Sequence, residues 1–249
     1  MSAPEISVPN ISVVVPVYNE AGAAPALARE IAAAFAGANA EIVFVDDASR
    51  DATRAALTAL QGEIPALRLV THAKNAGQSR AIRTGVLAAR APIVVMLDGD
   101  GQNDPADAPA LVAALAAGPP RLGLVGGERQ KRQDTAAKRW ASKIANGVRR
   151  RLLDDGAADT GCGLKAFRRE AFVALPYFDH MHRYLPALMQ RAGWKTVSVP
   201  VNHRHRTAGV SKYNNLNRAL VGISDLRGVA WLIRRAKRTE VKELHGDQS

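Results

Sequence analysis

The stretch Pro92–Gln102, PIVVMLDGDGQ, joins an unbroken apolar run to a turn with two aspartates. Similar runs, rich in β-branched residues, occur at Ile11–Val17, Glu41–Asp46, Leu67–Thr71 and, more weakly, Leu122–Val125. Continuous apolar runs of this length are typical of strands that are buried on both faces of a sheet. The sequence therefore predicts buried strands in this half of the chain, and the fourth of them ends in an acidic turn.

Segments with helical composition separate these runs and cover residues 23–36, 51–61, 76–90 and 106–117. Strands that alternate with helices of this length predict an α/β fold, in which helices cover both faces of a mostly parallel sheet. Ligands of such sheets bind beyond the carboxyl ends of the strands. The functional site is therefore expected in the loops after Val17, Val45 and Leu97.

Each of these three loops carries at least one acidic residue. Their sequences are Tyr18-Asn19-Glu20, Asp46-Asp47-Ala48-Ser49 and Asp98-Gly99-Asp100-Gly101-Gln102. Acidic loops that meet at one edge repel each other unless a cation or a donor-rich ligand lies between them. Asp98 and Asp100 can supply two carboxylates and Gln102 a third oxygen, which are the ligands that Mg²⁺ or Mn²⁺ prefers. The alternative is an Asp/Gly turn that caps the helix near Pro105.

The loop after the second strand has two compatible interpretations. Ser49 or Asp51 can cap the next helix, while Asp47 accepts a hydrogen bond from a nucleobase or a ribose hydroxyl and Tyr18 stacks on the base. The segment Asn75–Gln78, Asn-Ala-Gly-Gln, begins another predicted helix. An anion can bind at such a helix start, and the alternative is an ordinary cap.

Composition and charge limit the class of protein. The 249 residues are 47% hydrophobic and 23% charged, which is typical of a globular protein with one large domain or two small ones. The single cysteine, Cys162, excludes an internal disulfide and favours a reducing compartment. Residues 1–127 carry 9 Lys/Arg and 12 Asp/Glu, whereas residues 128–249 carry 25 and 11. This asymmetry predicts an anionic partner: nucleic acid, a nucleotide, a phospholipid surface or a phosphorylated substrate.

The second half contains two basic segments and a long predicted helix. Arg204, Arg206 and Lys212 can close over a pyrophosphate, or they form a solvated surface loop. The helix over residues 214–236 either packs on the core or lies on anionic lipid with Trp231 at headgroup depth. The longest stretch without charged residues has 14 residues, fewer than the roughly 20 of a membrane-spanning helix. The sequence therefore predicts no bilayer crossing, and its first residues predict no secretory signal.

In their order along the chain, the motifs resemble glycosyltransferase family 2, and more narrowly the dolichyl- and polyprenyl-phosphate mannosyltransferase group. They are VPVYNE at 15–20, VDDAS at 45–49, NAGQ at 75–78 with a later Gly85, LDGDGQ at 97–102, GGER at 126–129, DTGCGLK at 159–165 and RTAGVSKY at 206–213. The resemblance covers residues 10 to about 215. It departs at Gly99, where relatives often have Ala, and this glycine is expected to loosen the turn without harming metal binding.

The resemblance implies a Rossmann-like GT-A domain over residues 1–215, followed by a basic amphipathic C-terminal extension over residues 216–249. It implies Mg²⁺ or Mn²⁺ as the cofactor, with ligands Asp98, Asp100 and Gln102. The nucleotide-sugar-binding set that it implies is Pro16, Tyr18, Glu20, Val45, Asp47, Asp98 and Gln102. The catalytic residues that it implies are Asp100, Arg129, Arg206 and Lys212, and the acceptor-phosphate contacts are Arg129, Arg132 and Arg206.

The activity implied by the resemblance is inverting transfer of a sugar from a nucleotide-sugar to a polyprenyl phosphate. The lipid-linked monosaccharide would then serve envelope glycan or lipid modification. The enzyme would be peripheral on the cytoplasmic face of a membrane and would not bind nucleic acid. The alternatives are a family 2 transferase that acts on a glycan or lipid headgroup, and a basic nucleic-acid-binding module built on residues 128–151. The sequence is compatible with GDP-mannose, a UDP-hexose and a UDP-uronic acid as donor.

Overall fold

Seven strands form one sheet in the part of the chain that the structure, a computed structural model, describes. That part comprises residues 8–130, 147, 152–153, 156, 159–202, 204, 215–237 and 239. The strands are β1 Ile11–Val17, β2 Ala40–Asp46, β3 Leu67–Thr71, β4 Ile93–Met96, β5 Leu122–Arg129, β6 Lys165–Arg168 and β7 Lys195–Val201. Their order in the sheet is β3-β2-β1-β4-β6-β5-β7. Strand β6 is antiparallel to β4 and β5 and the other pairings of this sheet are parallel, which confirms the predicted mostly parallel sheet.

Helices cover both faces of the sheet. They are α1 Ala24–Ala34, α2 Thr53–Leu60, α3 Gln78–Ala88, α4 Ala108–Ala117, α5 Arg169–Val173, α6 Leu185–Arg191 and α7 Asn215–Arg234. Short 3₁₀ turns at Pro105–Asp107 and Met181–Tyr184 precede α4 and α6. The four helices predicted in the first half of the chain are present, and each is slightly shorter than predicted.

Two apolar cores lie on opposite faces of the sheet because successive strand residues point to opposite faces. Val13 of β1 belongs to the core that includes Leu111 of α4. The next residue, Val14, belongs to the other core, where the rings of Phe167 and Phe172 stack with centroids 5.0 Å apart. Burial on both faces explains why these strands read as continuous apolar runs instead of alternating ones.

Strand β5 extends four residues beyond the predicted end at Val125. The added residues pair in parallel with β7, up to Arg129 opposite Val201. Glycine is rare in strands, so Gly126 and Gly127 did not indicate that the strand continues beyond Val125. A Cβ on Gly127 would lie 2.8 Å from Val201 Cγ2, and this glycine therefore permits the close approach of the two strands.

Helix α7 packs on the domain. Val229 and Ala230 are buried in the second core, which supports the core-packing interpretation for this part of the helix. Apolar residues are also exposed, among them Ile223 and Trp231, the latter with 54% of its surface accessible. The predicted amphipathic character is therefore not confirmed. Within the described residues, no helix is both long and apolar enough to cross a membrane.

Candidate active site

The acidic turn after β4 is held by contacts from several elements. Asp98 follows this strand, and its carboxylate Oδ1 accepts a hydrogen bond from Gln78 Nε2 of α3 over 2.7 Å. The Asp98 N–H donates to the side-chain oxygen of buried Asn103 over 3.2 Å. Asp100 Oδ1 accepts from the N–H of Gln102 over 3.1 Å. These contacts fix the turn in the place where the sequence predicted it, at the carboxyl ends of the parallel strands.

The electrostatics of this turn favour a cation. Burial and the negative charge of Asp100 raise the pKa of Asp98 to about 6, against the opposing influence of Lys165, Arg129 and Gln78. A carboxylate whose ionised form is disfavoured by burial and by a neighbouring negative charge gains from a divalent cation beside it. Asp98 and Asp100 therefore suit Mg²⁺ or Mn²⁺, which commonly takes one or two protein carboxylates and completes its shell with water and substrate phosphates. Within the described ranges no cluster of three or more His, Cys, Asp or Glu is placed to hold a metal ion, so this candidate site has two carboxylates and not three.

The helix-capping alternative for this turn is filled by a different residue. Asp104, directly before the 3₁₀ turn, accepts from the N–H of Ala106 over 3.0 Å. Asp98 and Asp100 are therefore not needed as caps.

Two glycines bring the acidic turn close to its neighbours. A Cβ on Gly99 would lie 2.6 Å from Pro16 O and 2.6 Å from Val17 Cγ1. The expectation that Gly99 loosens the turn was therefore wrong: this glycine lets the turn pack directly against the end of β1. A Cβ on Gly163 would lie 2.2 Å from Asp98 Oδ2, so the loop before β6 closes the other side of the turn.

Asp47 is buried at the end of β2, and its carboxylate faces the turn before α3. It accepts from the N–H groups of Ala76 and Gly77 over 2.9 Å and 2.8 Å. Its Oδ1 also lies 2.7 Å from His72 Nδ1, and the other ring nitrogen of His72 lies 2.9 Å from Thr84 Oγ1. The anion predicted at this helix start is therefore the side chain of Asp47 itself. A nucleoside contact of Asp47 stays a prediction.

The loops after β1 and β2 brace one another. Ser49 Oγ accepts from the N–H of Asn19 over 2.9 Å, and Asn19 Oδ1 accepts from the N–H of Arg50 over 2.7 Å. Asn19 and Ala48 have φ values of 53° and 61°, a left-handed conformation that residues other than glycine seldom adopt. Asp51 accepts from the N–H of Thr53, the first residue of α2. The N-cap position of α2 is Ala52, which makes no side-chain cap, so neither Ser49 nor Asp51 is its N-cap residue, and Asp51 contacts the first N–H of the helix from the preceding position.

The remaining nucleotide-binding predictions fall on the same two strand ends. Pro16 and Val45 are buried and lie opposite each other in the β1–β2 pairing. Tyr18 and Glu20 follow on the half-buried loop after β1. The structure thus brings these four residues to the edge that also carries Asp98.

Arg129, at the end of β5, forms an ion pair with Asp159. Its guanidinium donates from Nε to Asp159 Oδ2 over 2.6 Å and from Nη2 to Asp159 Oδ1 over 2.8 Å. This two-point pair ties the loop before β6 to the end of β5, and the charge of Arg129 acts on Asp98. Its role at the acceptor phosphate stays a prediction. The other predicted acceptor and catalytic cations, Arg132, Arg206 and Lys212, lie outside the described residues.

Two further cations lie at the site: Lys165, to which the sequence assigned no role, and Arg204, which it predicted to close over a pyrophosphate or to lie in a solvated surface loop. Lys165 is buried, its ammonium donates to the backbone carbonyl of Cys162, and burial lowers its pKa. Arg204 donates its N–H to the carbonyl of Gln102 over 2.9 Å and its guanidinium to Asp104. Arg204 thereby joins the basic segment to the acidic turn. The signal for Lys165 was its place in the motif DTGCGLK at 159–165, and the pyrophosphate contact of Arg204 stays a prediction.

Comparison with known proteins gives a family match and several relatives. The family described as Glycosyl transferase family 2 matches residues 12–175. The undecaprenyl-phosphate 4-deoxy-4-formamido-L-arabinose transferase of Sodalis glossinidius (strain morsitans) is 36% identical over 213 residues, which are 84% of this chain and 64% of the relative. The protein of the same description from Pseudomonas aeruginosa (strain LESB58) is 37% identical over 207 residues, 82% of this chain and 60% of the relative. The chain thus spans somewhat less than two thirds of the length of these curated relatives.

Solved structures share the fold. The mannosyltransferase PcManGT from Pyrobaculum calidifontis, in complex with GDP-Man and Mn²⁺, has a TM-score of 0.66 at 21% identity, covering 93% of this chain and 66% of that one. Glucosyl-3-phosphoglycerate synthase from Mycobacterium tuberculosis, in complex with Mn²⁺, UDP-Glc and phosphoglyceric acid, has a TM-score of 0.69 at 20% identity, covering 90% and 80%. The sheet order, the strand-end loops and these likenesses agree on a GT-A fold. The family match covers more than half of the chain, and the protein belongs to glycosyl transferase family 2.

Proposed function

We propose that the protein transfers a sugar, with inversion, from a nucleotide-sugar to a polyprenyl phosphate. The observation that carries this proposal is the 36% identity, over 84% of the chain, to a transferase whose description names undecaprenyl phosphate. The paired carboxylates Asp98 and Asp100 support it, since they lie at the strand-end edge where a nucleotide-sugar binds in this kind of sheet. The product would be a lipid-linked monosaccharide for envelope glycan or lipid modification.

The donor would lie across the ends of β1, β2 and β4. Pro16, Tyr18, Glu20, Val45 and Asp47 are proposed to bind its nucleoside. Asp98, Asp100 and Gln102 would hold Mg²⁺ or Mn²⁺, which supplies neutralisation of the diphosphate charge when bound. The Asp47 carboxylate already accepts from the N–H groups of Ala76 and Gly77, so it would also keep the turn before α3 in place.

The acceptor needs cations more than it needs a base. A phosphate monoester is already largely ionised near neutral pH, so one of its oxygens can attack the anomeric carbon without a general base. The new bond forms as the bond from that carbon to the diphosphate oxygen breaks, and a nucleoside diphosphate leaves with the electron pair. Arg129, Arg132, Arg206 and Lys212 are proposed to offset the charge of the two anions that must approach each other.

A membrane surface would supply the acceptor. On α7, the apolar residues Val221, Ile223 and Trp231 are exposed, and so are the cations Arg227 and Arg234 of the same helix. Apolar side chains among cations suit an anionic lipid surface, with the tryptophan at headgroup depth. We propose peripheral binding on the cytoplasmic face through this helix, with residues 216–249 as the membrane-facing extension of the 1–215 domain.

A donor screen followed by analysis of the product tests this proposal. Thermal shift with Mn²⁺ and GDP-mannose, UDP-hexoses, UDP-uronic acids or UDP-4-deoxy-4-formamido-L-arabinose identifies the donor, because a ligand stabilises the protein that binds it. The label of that donor is then followed into lipid. A chloroform-soluble product that is labile to mild acid supports transfer to a polyprenyl phosphate. A water-soluble or acid-stable product supports transfer to a glycan or lipid headgroup instead.

A further inference from the structure

Gln78 is the first residue of α3, and its side chain reaches the acidic turn after β4. Its Nε2 donates to Asp98 Oδ1 over 2.7 Å. Gln78 is exposed and belongs to α3, whereas Asp98 lies in the turn after the buried strand β4. The hydrogen bond therefore joins two separate elements of the fold. The orientation of the Asp98 carboxylate therefore depends in part on a residue outside its own loop.

The second oxygen of Asp98 is confined from the opposite side. A Cβ on Gly163 would lie 2.2 Å from Asp98 Oδ2 and 2.6 Å from Asn103 Oδ1, so the backbone of Gly163 packs directly against both side chains. Asn103 Oδ1 also accepts from the N–H of Asp98. With Gly163 on one side and Gln78 on the other, rotation of the carboxylate is restricted.

The backbone that carries Gln78 is itself fixed. The carboxylate of Asp47 accepts from the N–H groups of Ala76 and Gly77, the two residues before Gln78. Asn75 Nδ2 donates to the carbonyl of Asp47 over 3.1 Å. The turn 75–78 therefore connects the loop after β2 to the acidic turn after β4.

We propose that Gln78 is a positioning residue that orients the Asp98 carboxylate toward a divalent cation. This inference rests on the cation site of the proposed function. A side chain that hydrogen-bonds a metal-binding carboxylate fixes its direction, and loss of such a partner typically weakens metal affinity 10- to 100-fold. Through the turn 75–78, Gln78 also links the cation site to the loop proposed to bind the nucleoside.

The test compares Mn²⁺ affinities in the absence of nucleotide, measured from the electron paramagnetic resonance signal of free Mn²⁺. Gln78→Met keeps the length of the side chain but removes the donor, and we expect Mn²⁺ to bind about tenfold more weakly. Its thermal midpoint in EDTA should match that of the wild type because Gln78 is exposed. Gln190→Met is the matched control, since Gln190 Nε2 donates to Thr196 Oγ1 over 2.9 Å between α6 and β7. This control should bind Mn²⁺ like the wild type.

A second variant keeps the inference testable if Gln78→Met also alters stability. Gln78→Glu places a third carboxylate beside Asp98, so its thermal midpoint in EDTA should fall below that of Gln78→Met. Mn²⁺ should then raise the midpoint of Gln78→Glu more than that of the wild type.

Wild-type Mn²⁺ affinity in Gln78→Met, or equal behaviour of the Met and Glu variants, would overturn the inference. Absence of saturable Mn²⁺ binding by the wild type would overturn the cation site together with the inference. Normal Mn²⁺ binding without sugar transfer to lipid would contradict the proposed function alone.

Discussion

Arg129 and Asp159 form a two-point ion pair at the end of β5, with only 14% and 9% of their side chains exposed. Arg29 and Glu63 form a pair of the same geometry, with distances of 2.7 Å and 2.8 Å, but their side chains are 53% and 52% exposed. The protein thus contains two ion pairs of the same geometry, one shielded from water and one exposed to it. The shielded pair, Arg129 and Asp159, holds the loop before β6, whose Gly163 packs against Asp98.

Asp159→Asn should lower the free energy of unfolding by about 3 kcal/mol, because it leaves the charge of Arg129 shielded from water without its carboxylate. Glu63→Gln removes the corresponding charge of the exposed pair and should change stability little. Urea unfolding of both variants measures the difference. Equal losses in the two variants would contradict a structural role for the shielded pair.

Gly163→Ala should abolish Mn²⁺ binding, since the added Cβ would lie 2.2 Å from Asp98 Oδ2. Overpacking should also destabilise the fold by about 1–3 kcal/mol. Gly126→Ala is the control, because a Cβ there would meet its nearest atom at 3.8 Å. Mn²⁺ titration and thermal unfolding of both variants make the comparison, and intact Mn²⁺ binding in Gly163→Ala would show that Asp98 is not confined as described.

Local sequence predicted the strands and the acidic turn well because both depend on neighbouring residues. The run Ile11–Val17 has the bounds that the structure shows, since β-branched residues at five of its seven positions suit a strand buried on both faces. Asp98 and Asp100 lie at a strand end, and parallel strands bring their ends to one edge. The family resemblance added the GT-A fold.

Long-range contacts explain what the sequence did not reveal. The Asp47 carboxylate is engaged by His72, Ala76 and Gly77, which lie 25 to 30 residues away along the chain. The end of β5 depends on pairing with β7, which overrides the low strand preference of Gly126 and Gly127. Gln78 and Gly163 gain their importance only from their distance to Asp98 in the folded chain.

Acid should destabilise the protein through His182. Burial lowers the pKa of His182 to about 3, from 6.5 in the unfolded chain, and its Nδ1 lies 2.7 Å from Ser79 Oγ. Below pH 6.5 the unfolded chain therefore binds a proton that the folded protein does not. His182 should then lower the free energy of unfolding by up to about 1.4 kcal/mol per pH unit as the pH falls from 6.5 toward 3.

His182→Gln keeps a hydrogen-bonding group and removes the titration. The urea midpoint should fall between pH 7 and pH 4.5 in both proteins, but the fall should be smaller for this variant than for the wild type. The same fall in both proteins would contradict a neutral, buried His182.

Vesicle binding should depend on the exposed cations at the C-terminal end of α7, Arg234 and the following Arg235. Arg234→Gln with Arg235→Gln should weaken binding to phosphatidylglycerol vesicles by about 2 kcal/mol, roughly 30-fold, because each cation near an anionic surface contributes about 1 kcal/mol. Arg235 also lies over the ring of exposed Trp231, with its Cζ 5.7 Å from the centroid. Truncation before Val229 is a poorer test, because Val229 and Ala230 are buried in the core.

Arg90→Gln with Arg121→Gln removes the same charge from exposed positions outside α7 and serves as the control. Vesicle sedimentation with phosphatidylglycerol and with phosphatidylcholine measures both double variants. Equal sedimentation of the two would exclude α7 as the lipid-binding surface.

Transfer of labelled sugar to undecaprenyl phosphate in vesicles is the measurement that decides whether a polyprenyl phosphate is the acceptor of this protein. The radiolabelled nucleotide-sugar that stabilises the protein is incubated with the wild type, the vesicles and Mn²⁺, and the lipid is extracted into chloroform. We expect label in a chloroform-soluble product that mild acid releases. We expect no such product with Asp100→Asn, whose fold should stay intact, or with the wild type in EDTA. Undiminished product from Asp100→Asn in EDTA, or label found only in water-soluble glycan, would contradict this expectation.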